Sequence, residues 1–226
     1  MNREIERTEP TPEQIAAATP LIEKAYDLIY DPEKPPPADE LSMTIGDFPV
    51  AARGNLTGIQ GKSKAGKSAV VSAVIGAAMR GKYTANGELL CFAWTGDAQG
   101  AVIHLDTEQS PGDWHRLVGC SVTRSGLSNV SNRLVSFPLV IFTRSERLEL
   151  LRQSMEREAA NKGGIDCVVI DGIADLCSSP NDEVEALELI NCCNFHDVML
   201  NAKALSIVRS DGHLSNRMQF CAVKKS

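Results

Sequence analysis

Hydrophobic positions along the chain switch repeatedly between helical and strand spacing. At the start, Thr11 with Gln14 makes a capping box and Pro12 suits a first helical position. After Pro20 the residues Leu21, Ile22, Ala25, Leu28 and Ile29 fall on one helical face, so a short helical leader is expected. The run DPEKPPPADE (31–40) then ends any helix, because proline lacks the amide donor, and predicts an extended, semi-rigid tether. A domain boundary near residue 40 follows.

Beyond it, strand and helix patterns alternate. NLTGIQ (55–60) reads as a short strand and AGKSAVVSAVIGAAMRG (65–81) as a helix closed by Gly81. LLCFAW (89–94) and AVIHLD (101–106) flank TGDAQG and predict a hairpin. Ser110 caps a helix with Pro111 at its first position, and Thr143 with Glu146 forms a capping box for a helix that stops at Gly163 and Gly164. CVVIDG (167–172) is continuously apolar up to Asp171, the pattern of a strand buried on both faces of a parallel sheet. Ser179 and Pro180 open one more predicted helix, ALSIVR (204–209) reads as a strand, and the stretch between them has no clean period. The alternation predicts an α/β fold, a mostly parallel sheet with flanking helices.

Composition narrows the class. With 226 residues, 43% hydrophobic, and a formal charge of −6, the chain has the make-up of a soluble globular protein of one domain with a small appendage. Residues 1–50 hold 11 acids and 4 bases, whereas 51–226 hold 18 acids and 19 bases, so the acidity belongs to the leader. An N-terminus without an apolar core segment, and the lack of any run of about 18 apolar residues, predict a cytoplasmic protein that does not enter membranes. Seven cysteines, without metal-ligand spacing, read as reduced thiols, mostly buried.

The segment GKSKAGKS, from Gly61 to Ser68, fits G-x-x-x-x-G-K-[ST]. In such a loop, glycines let backbone amides wrap a phosphate, and the following helix points its N-terminal dipole at the anion. Gly61, Lys62, Ser63, Lys64, Ala65, Gly66, Lys67, Ser68 and Ala69 are therefore the candidate phosphate-binding residues. Lys67 would reach the β- and γ-phosphates, and Ser68 would ligate Mg²⁺. Asp171 ends an apolar strand as a metal-holding acid must. In AVIHLDTEQS, Asp106 and Glu108 are spaced to share one face of a strand end, where a carboxylate can take a proton from an attacking water. Glu108 is then either a candidate base, with Asp106 as support, or a solvated loop acid capping the helix that starts near Ser110.

Together GKSKAGKS, LDTEQS and VVIDGIADL resemble the RecA-type P-loop ATPases, in particular the RepA/KaiC-like AAA-domain proteins of plasmids and mobile elements. The resemblance spans about residues 45–190. It implies a RecA-like fold binding ATP and Mg²⁺, with Lys67, Glu108 and Asp171 catalytic and with Ser68 and Asp171 on the metal. It implies a homo-oligomeric ring or filament in which a neighbour supplies a cation, a contact with single-stranded DNA, and a role in DNA replication or repair. Gly212–Ser215 echo a sensor loop of related sequences, with Arg209 or Arg217 as nearby cations. Residues 1–40 are then an acidic helical leader with a Pro-rich linker, and 41–226 the RecA-like domain. Residues 190–226 match the family poorly and read as truncated or frame-shifted.

Competing classes differ in what they require. Asn161-Lys162-Gly163-Gly164 lacks the aspartate of a guanine-reading NKxD, and no LSGGQ-like signature occurs, which argues against a GTPase and a transporter ATPase. A small-molecule kinase and a nucleotide-binding regulatory module with little turnover remain as alternatives. Trp94 and Trp114 read as packing residues, the four histidines as ordinary polar groups, and the basic segment 198–226 as a solvated end.

Overall fold

The two most apolar strand patterns form paired, fully buried strands of a parallel sheet. A computed structural model describes residues 20, 22–26, 29–35, 38, 40–52, 56–60, 65–82, 87–176 and 219–223. In it β5 (Ala101–Asp106) and β7 (Ile165–Asp171) are buried at every position. They run parallel, with β6 (Leu134–Pro138) on the other side of β5, giving the order β6-β5-β7. Parallel strands covered on both faces need no polar alternation, which is why their sequences read as continuous apolar runs.

Helices cover the two faces. Val102, Cys167 and Val169 face one core with helix α1 (Lys67–Arg80), whereas Ile103, Leu105, Val168 and Ile170 face a second core with Leu151 and Met155 of helix α3 (Arg144–Lys162). Helix α1 is apolar around most of its circumference and is buried from Val70 to Met79, so it lies inside the protein. Helix α2 (Pro111–Ser125) packs beside α1. The α/β arrangement of a parallel sheet with flanking helices, expected from the sequence, is the one observed.

The caps act as predicted. Ser110 accepts from the Asp113 amide with Pro111 in the first turn, and Thr143 and Glu146 form a reciprocal capping box. Gly163 closes α3 and Gly81 closes α1.

Other strands depart from the sequence expectation. β4 (Phe92–Trp94) pairs antiparallel with β1 (Leu41–Ile45), which also pairs with β2 (Phe48–Ala52), so β4 and β5 lie in different sheets and the predicted hairpin does not form. Pairing with β1, distant in sequence, buries Phe92 and Trp94 and outweighs the short local turn. β1, β2 and β6 carry no strong sequence signal; β6 is half-buried throughout and ends in Pro138. β3 (Leu56–Gln60), the strand feeding the glycine loop, pairs antiparallel with β8 (Gln219–Val223).

The chain divides into two units, Met1–Ala38 and Asp39–Ser226. In the first, residues 22–26 are helical. Asp31 then starts a turn: the Lys34 amide donates to its carbonyl (3.1 Å) and the Glu33 amide to its carboxylate (2.9 Å). Pro32, pre-set for the second position of a turn, explains why 31–34 bend where an extended tether was expected. Of the described cysteines, Cys167 is buried but Cys91 and Cys120 are exposed, against the expectation of burial. No helix among the described residues is long and apolar enough to cross a membrane. The predicted cap at 11–14, the helix after Ser179, the strand at 204–209 and Gly212–Ser215 with Arg209 and Arg217 lie outside the described residues.

The N-terminal edge of the parallel sheet is locked by one side chain. Arg133, just before β6, bonds Asp166 Oδ2 (2.6 Å), the Gly100 carbonyl (2.8 Å) and the Met79 carbonyl (3.0 Å), and Asp166 Oδ2 also accepts the Gly100 amide (2.9 Å). One guanidinium thus joins β5, β6, β7 and the end of α1. Arg133→Met leaves Asp166 buried without its charge partner and is expected to destabilise the fold by about 3 kcal/mol, read from the urea midpoint.

Buried His104 carries a second consequence. It is fully enclosed in β5, with Nδ1 2.8 Å from Ser136 Oγ, which also accepts from Trp114 Nε1 (2.8 Å). Its Nε2 meets no hydrogen-bond partner among the described residues. Burial lowers the His104 pKa from 6.5 to about 3. Above pH 6.5 the ring is neutral in both states; below it the unfolded chain takes up a proton that the folded one refuses, so stability falls with pH down to about 3. In urea titrations across this window, His104→Asn is expected to flatten the acid loss by up to about 1.4 kcal/mol per pH unit.

Candidate functional site

Parallel register sets the geometry at the opposite, C-terminal edge. Asp106 and Asp171 are paired positions, each closing its strand and each fully buried, at the edge where open α/β sheets present their ligand sites. Strand alternation puts both on the face that α1 covers, two residues beyond His104 and Val169.

β5 stops at Asp106, and a turn follows. Asp106 Oδ1 accepts the amides of Glu108 (3.1 Å) and Gln109 (2.9 Å). This turn breaks the strand alternation, so Asp106 and Glu108 do not share a strand face: Asp106 is buried as the turn's acceptor and Glu108 is exposed. The residues on either side of Glu108 are tied to the end of β7. The Thr107 hydroxyl donates to the Gly172 carbonyl (2.7 Å), with Asp175 Oδ2 3.1 Å away, and Gln109 Nε2 donates to Asp171 Oδ2 (3.1 Å).

Across from this turn lies the start of α1. Gly66 is its N-cap with φ 83°, a left-handed conformation that suits glycine, and no side chain caps the helix. Its first turn contains no acid, whereas α2 and α3 carry Asp113 and Glu146 there. Lys67 begins the helix and is buried; Ser68 is exposed.

A cleft of about 630 Å³ opens where the first turns of α1, the turn after β5 and one side of α2 meet. Ser68, Ala69 and Ser72 line one wall, Glu108, Gln109 and Ser110 the floor, and Asp113, Arg116, Leu117, Cys120 and Arg124 the other. Of the residues nominated by sequence, the structure brings Ser68, Ala69 and Glu108 to this cleft. Asp171 and Lys67 are buried and reach no part of its lining, Asp171 being joined to it through Gln109. Ala65 and Gly66 precede α1 as an exposed bend. Gly61, Lys62, Ser63 and Lys64 lie outside the described residues. Sequence reasoning missed Gln109, Thr107 and the α2 cations; Gln109 directly follows the candidate base, and that adjacency was the available signal.

Ser68 and Asp171 carry hard oxygen donors of the kind Mg²⁺ takes while keeping several waters; Ser68 lines the cleft, whereas buried Asp171 is joined to it through Gln109. No cluster of three or more His, Cys, Asp or Glu side chains able to hold a metal occurs among the described residues.

No protein-family model matches the chain, and no curated protein matches it. Among solved structures, it is similar to one described as a prototypical ATPase from the type III secretion system of pathogenic bacteria, at 12% identity and a TM-score of 0.48. That similarity covers 79% of this chain and 53% of the other, so the chain spans about half the length of that protein. The α/β assignment rests on this chain's own strands and helices.

Gly172, beyond Asp171, has φ 96°, and a Cβ there would come within 2.2 Å of Thr107 Oγ1 and 2.6 Å of Glu108 Cγ. Gly172→Ala is therefore expected to push the Thr107–Gln109 turn away from β7 and cost about 2 kcal/mol in chemical denaturation.

Proposed function

We propose that this protein is a RecA-like P-loop ATPase that binds ATP with Mg²⁺ and hydrolyses it. The observation that carries the reading is the meeting of Ser68 and Glu108 on one cleft, beside a helix whose N-terminus no side chain caps. An uncapped helix start with its glycine loop favours phosphate, and a carboxylate facing it from another element is suited to activating water.

In this mechanism the loop amides and Lys67 hold the phosphate oxygens, so the γ-phosphoryl group is fixed before reaction. Ser68 and Asp171 would hold Mg²⁺, which when bound neutralises charge on the β- and γ-phosphates. Glu108 accepts a hydrogen bond from water and orients it in line with the bond to the leaving oxygen. As oxygen bonds to the γ-phosphorus, the bond to the β,γ-bridging oxygen breaks, the electron pair leaves with ADP, and the water proton passes to Glu108.

The finer reading follows the resemblance of GKSKAGKS, LDTEQS and VVIDGIADL. The protein would work in the cytoplasm as a homo-oligomer on single-stranded DNA, in plasmid or mobile-element replication or repair. One observation favours a second reading, phosphoryl transfer to a small acceptor: the cleft continues past Glu108 along α2 to Arg116 and Arg124.

Steady-state phosphate release and ATP binding, with and without single-stranded DNA, test these readings. Wild type is expected to release phosphate without an added acceptor and faster with DNA. Lys67→Ala is expected to lose binding, and Glu108→Gln to keep binding while kcat falls at least a hundredfold. Binding without turnover points to a regulatory module, turnover only with an acceptor points to a kinase, and absence of ATP binding overturns the proposal.

A further inference from the structure

The geometry points to Thr107 as a positioning residue that holds Glu108 toward the cleft by clamping the turn after β5 onto Gly172. This inference rests on the hydrolysis reading above, in which Glu108 orients water, and adds a residue that neither the phosphate-loop motif nor its acids include.

Glu108 is exposed and lines the cleft with Ser68. A glutamate side chain has wide rotamer freedom, so its direction depends on what it lies against. A Cβ on Gly172 would come within 2.6 Å of Glu108 Cγ and 3.2 Å of its Oε1, so the stem of the glutamate runs across the bare backbone of that buried glycine. Gly172 is the seat of the candidate base, and the seat works only while the turn and the end of β7 stay together.

Thr107 supplies that hold at two points. Its amide donates to the Asp171 carbonyl (3.0 Å), and its hydroxyl donates to the Gly172 carbonyl (2.7 Å), with Asp175 Oδ2 3.1 Å away. The residue is 2% exposed, so water does not compete for the bond, and its branched Cβ limits the directions the hydroxyl can take. The hydroxyl thus joins the residue before Glu108 to the glycine beneath Glu108. Misplacing a reacting group by about 1 Å costs on the order of a hundredfold in rate, which makes this bond a condition for turnover. Removing the hydroxyl leaves the surrounding backbone bonded: the Gly172 carbonyl still accepts the Asp175 amide (3.0 Å), and the Thr107 amide still reaches Asp171. Valine keeps the branched shape without the donor, whereas serine keeps the donor.

The full chain tests this in wild type, Thr107→Val and Thr107→Ser, with Thr107→Val also combined with Glu108→Gln. Single-turnover phosphate release reads the chemical step, and a non-hydrolysable ATP analogue reads affinity. Thr107→Val is expected to slow phosphate release about thirtyfold with analogue affinity within about twofold of wild type, and Thr107→Ser to recover to within about threefold. In the Glu108→Gln background, Thr107→Val is expected to cost less than about twofold more, because a residue that acts through Glu108 has nothing left to position. A wild-type rate in Thr107→Val, or in Thr107→Ala where the valine variant does not fold, overturns the inference. The same fold-loss in both backgrounds, or a serine variant as slow as the valine one, overturns it as well and assigns Thr107 a structural role. A wild-type chain that releases no phosphate from ATP overturns the hydrolysis reading and this role with it; wild-type turnover with an unchanged Thr107→Val overturns the role of Thr107 alone.

Discussion

Two fully buried carboxylates side by side at the end of a parallel sheet set the terms for the surrounding structure. Asp106 and Asp171 are paired across β5 and β7. Buried acids are costly unless hydrogen bonds replace water. Asp106 meets that demand by gathering two backbone amides, which forces the chain to turn immediately. Asp171 takes the side-chain amide of Gln109, and the Thr107 hydroxyl closes the same gap one residue further on. A turn built to satisfy buried charge also delivers Glu108 outward, into the cleft beside α1.

The two edges of the sheet divide the work. At the N-terminal edge, Arg133 and Asp166 tie three strands and the end of α1 into a closed, charge-paired knot. At the C-terminal edge, Arg147 bonds the Leu139, Phe142 and Val140 carbonyls, anchoring the connection between β6 and α3. That connection also meets β5, since the Leu139 amide donates to the Asp106 carbonyl. The loops around Glu108 are thus held by hydrogen bonds on several sides, a condition for placing a reactive side chain accurately.

Local chemistry made much of this readable in advance. The caps at Ser110 and Thr143 act between residues three apart, and the helix stops at Gly81 and Gly163 are single-residue conformational effects. None needs the rest of the protein. The buried strands at 101–106 and 167–171 were legible because burial on both faces removes polar alternation. β1 and β2 pair locally across Gly46 and Asp47 but carry no strong strand pattern, and half-buried β6 was not legible because its partner β5 is distant in sequence. The hairpin expectation failed for the same reason: β4 found a better partner in β1.

Residue types and short spacings therefore determined the phosphate-loop motif, the two strand-end acids, the capped helices and the α/β class, all features whose physics acts within a few residues. Tertiary structure alone decided that Asp106 faces Asp171 in register, that Glu108 reaches the cleft with Ser68, and that Gln109 joins Asp171 to the turn after β5. Those outcomes depend on which strands pair and in what register. Pairing energy is shared between segments about sixty residues apart, so no local pattern encodes it.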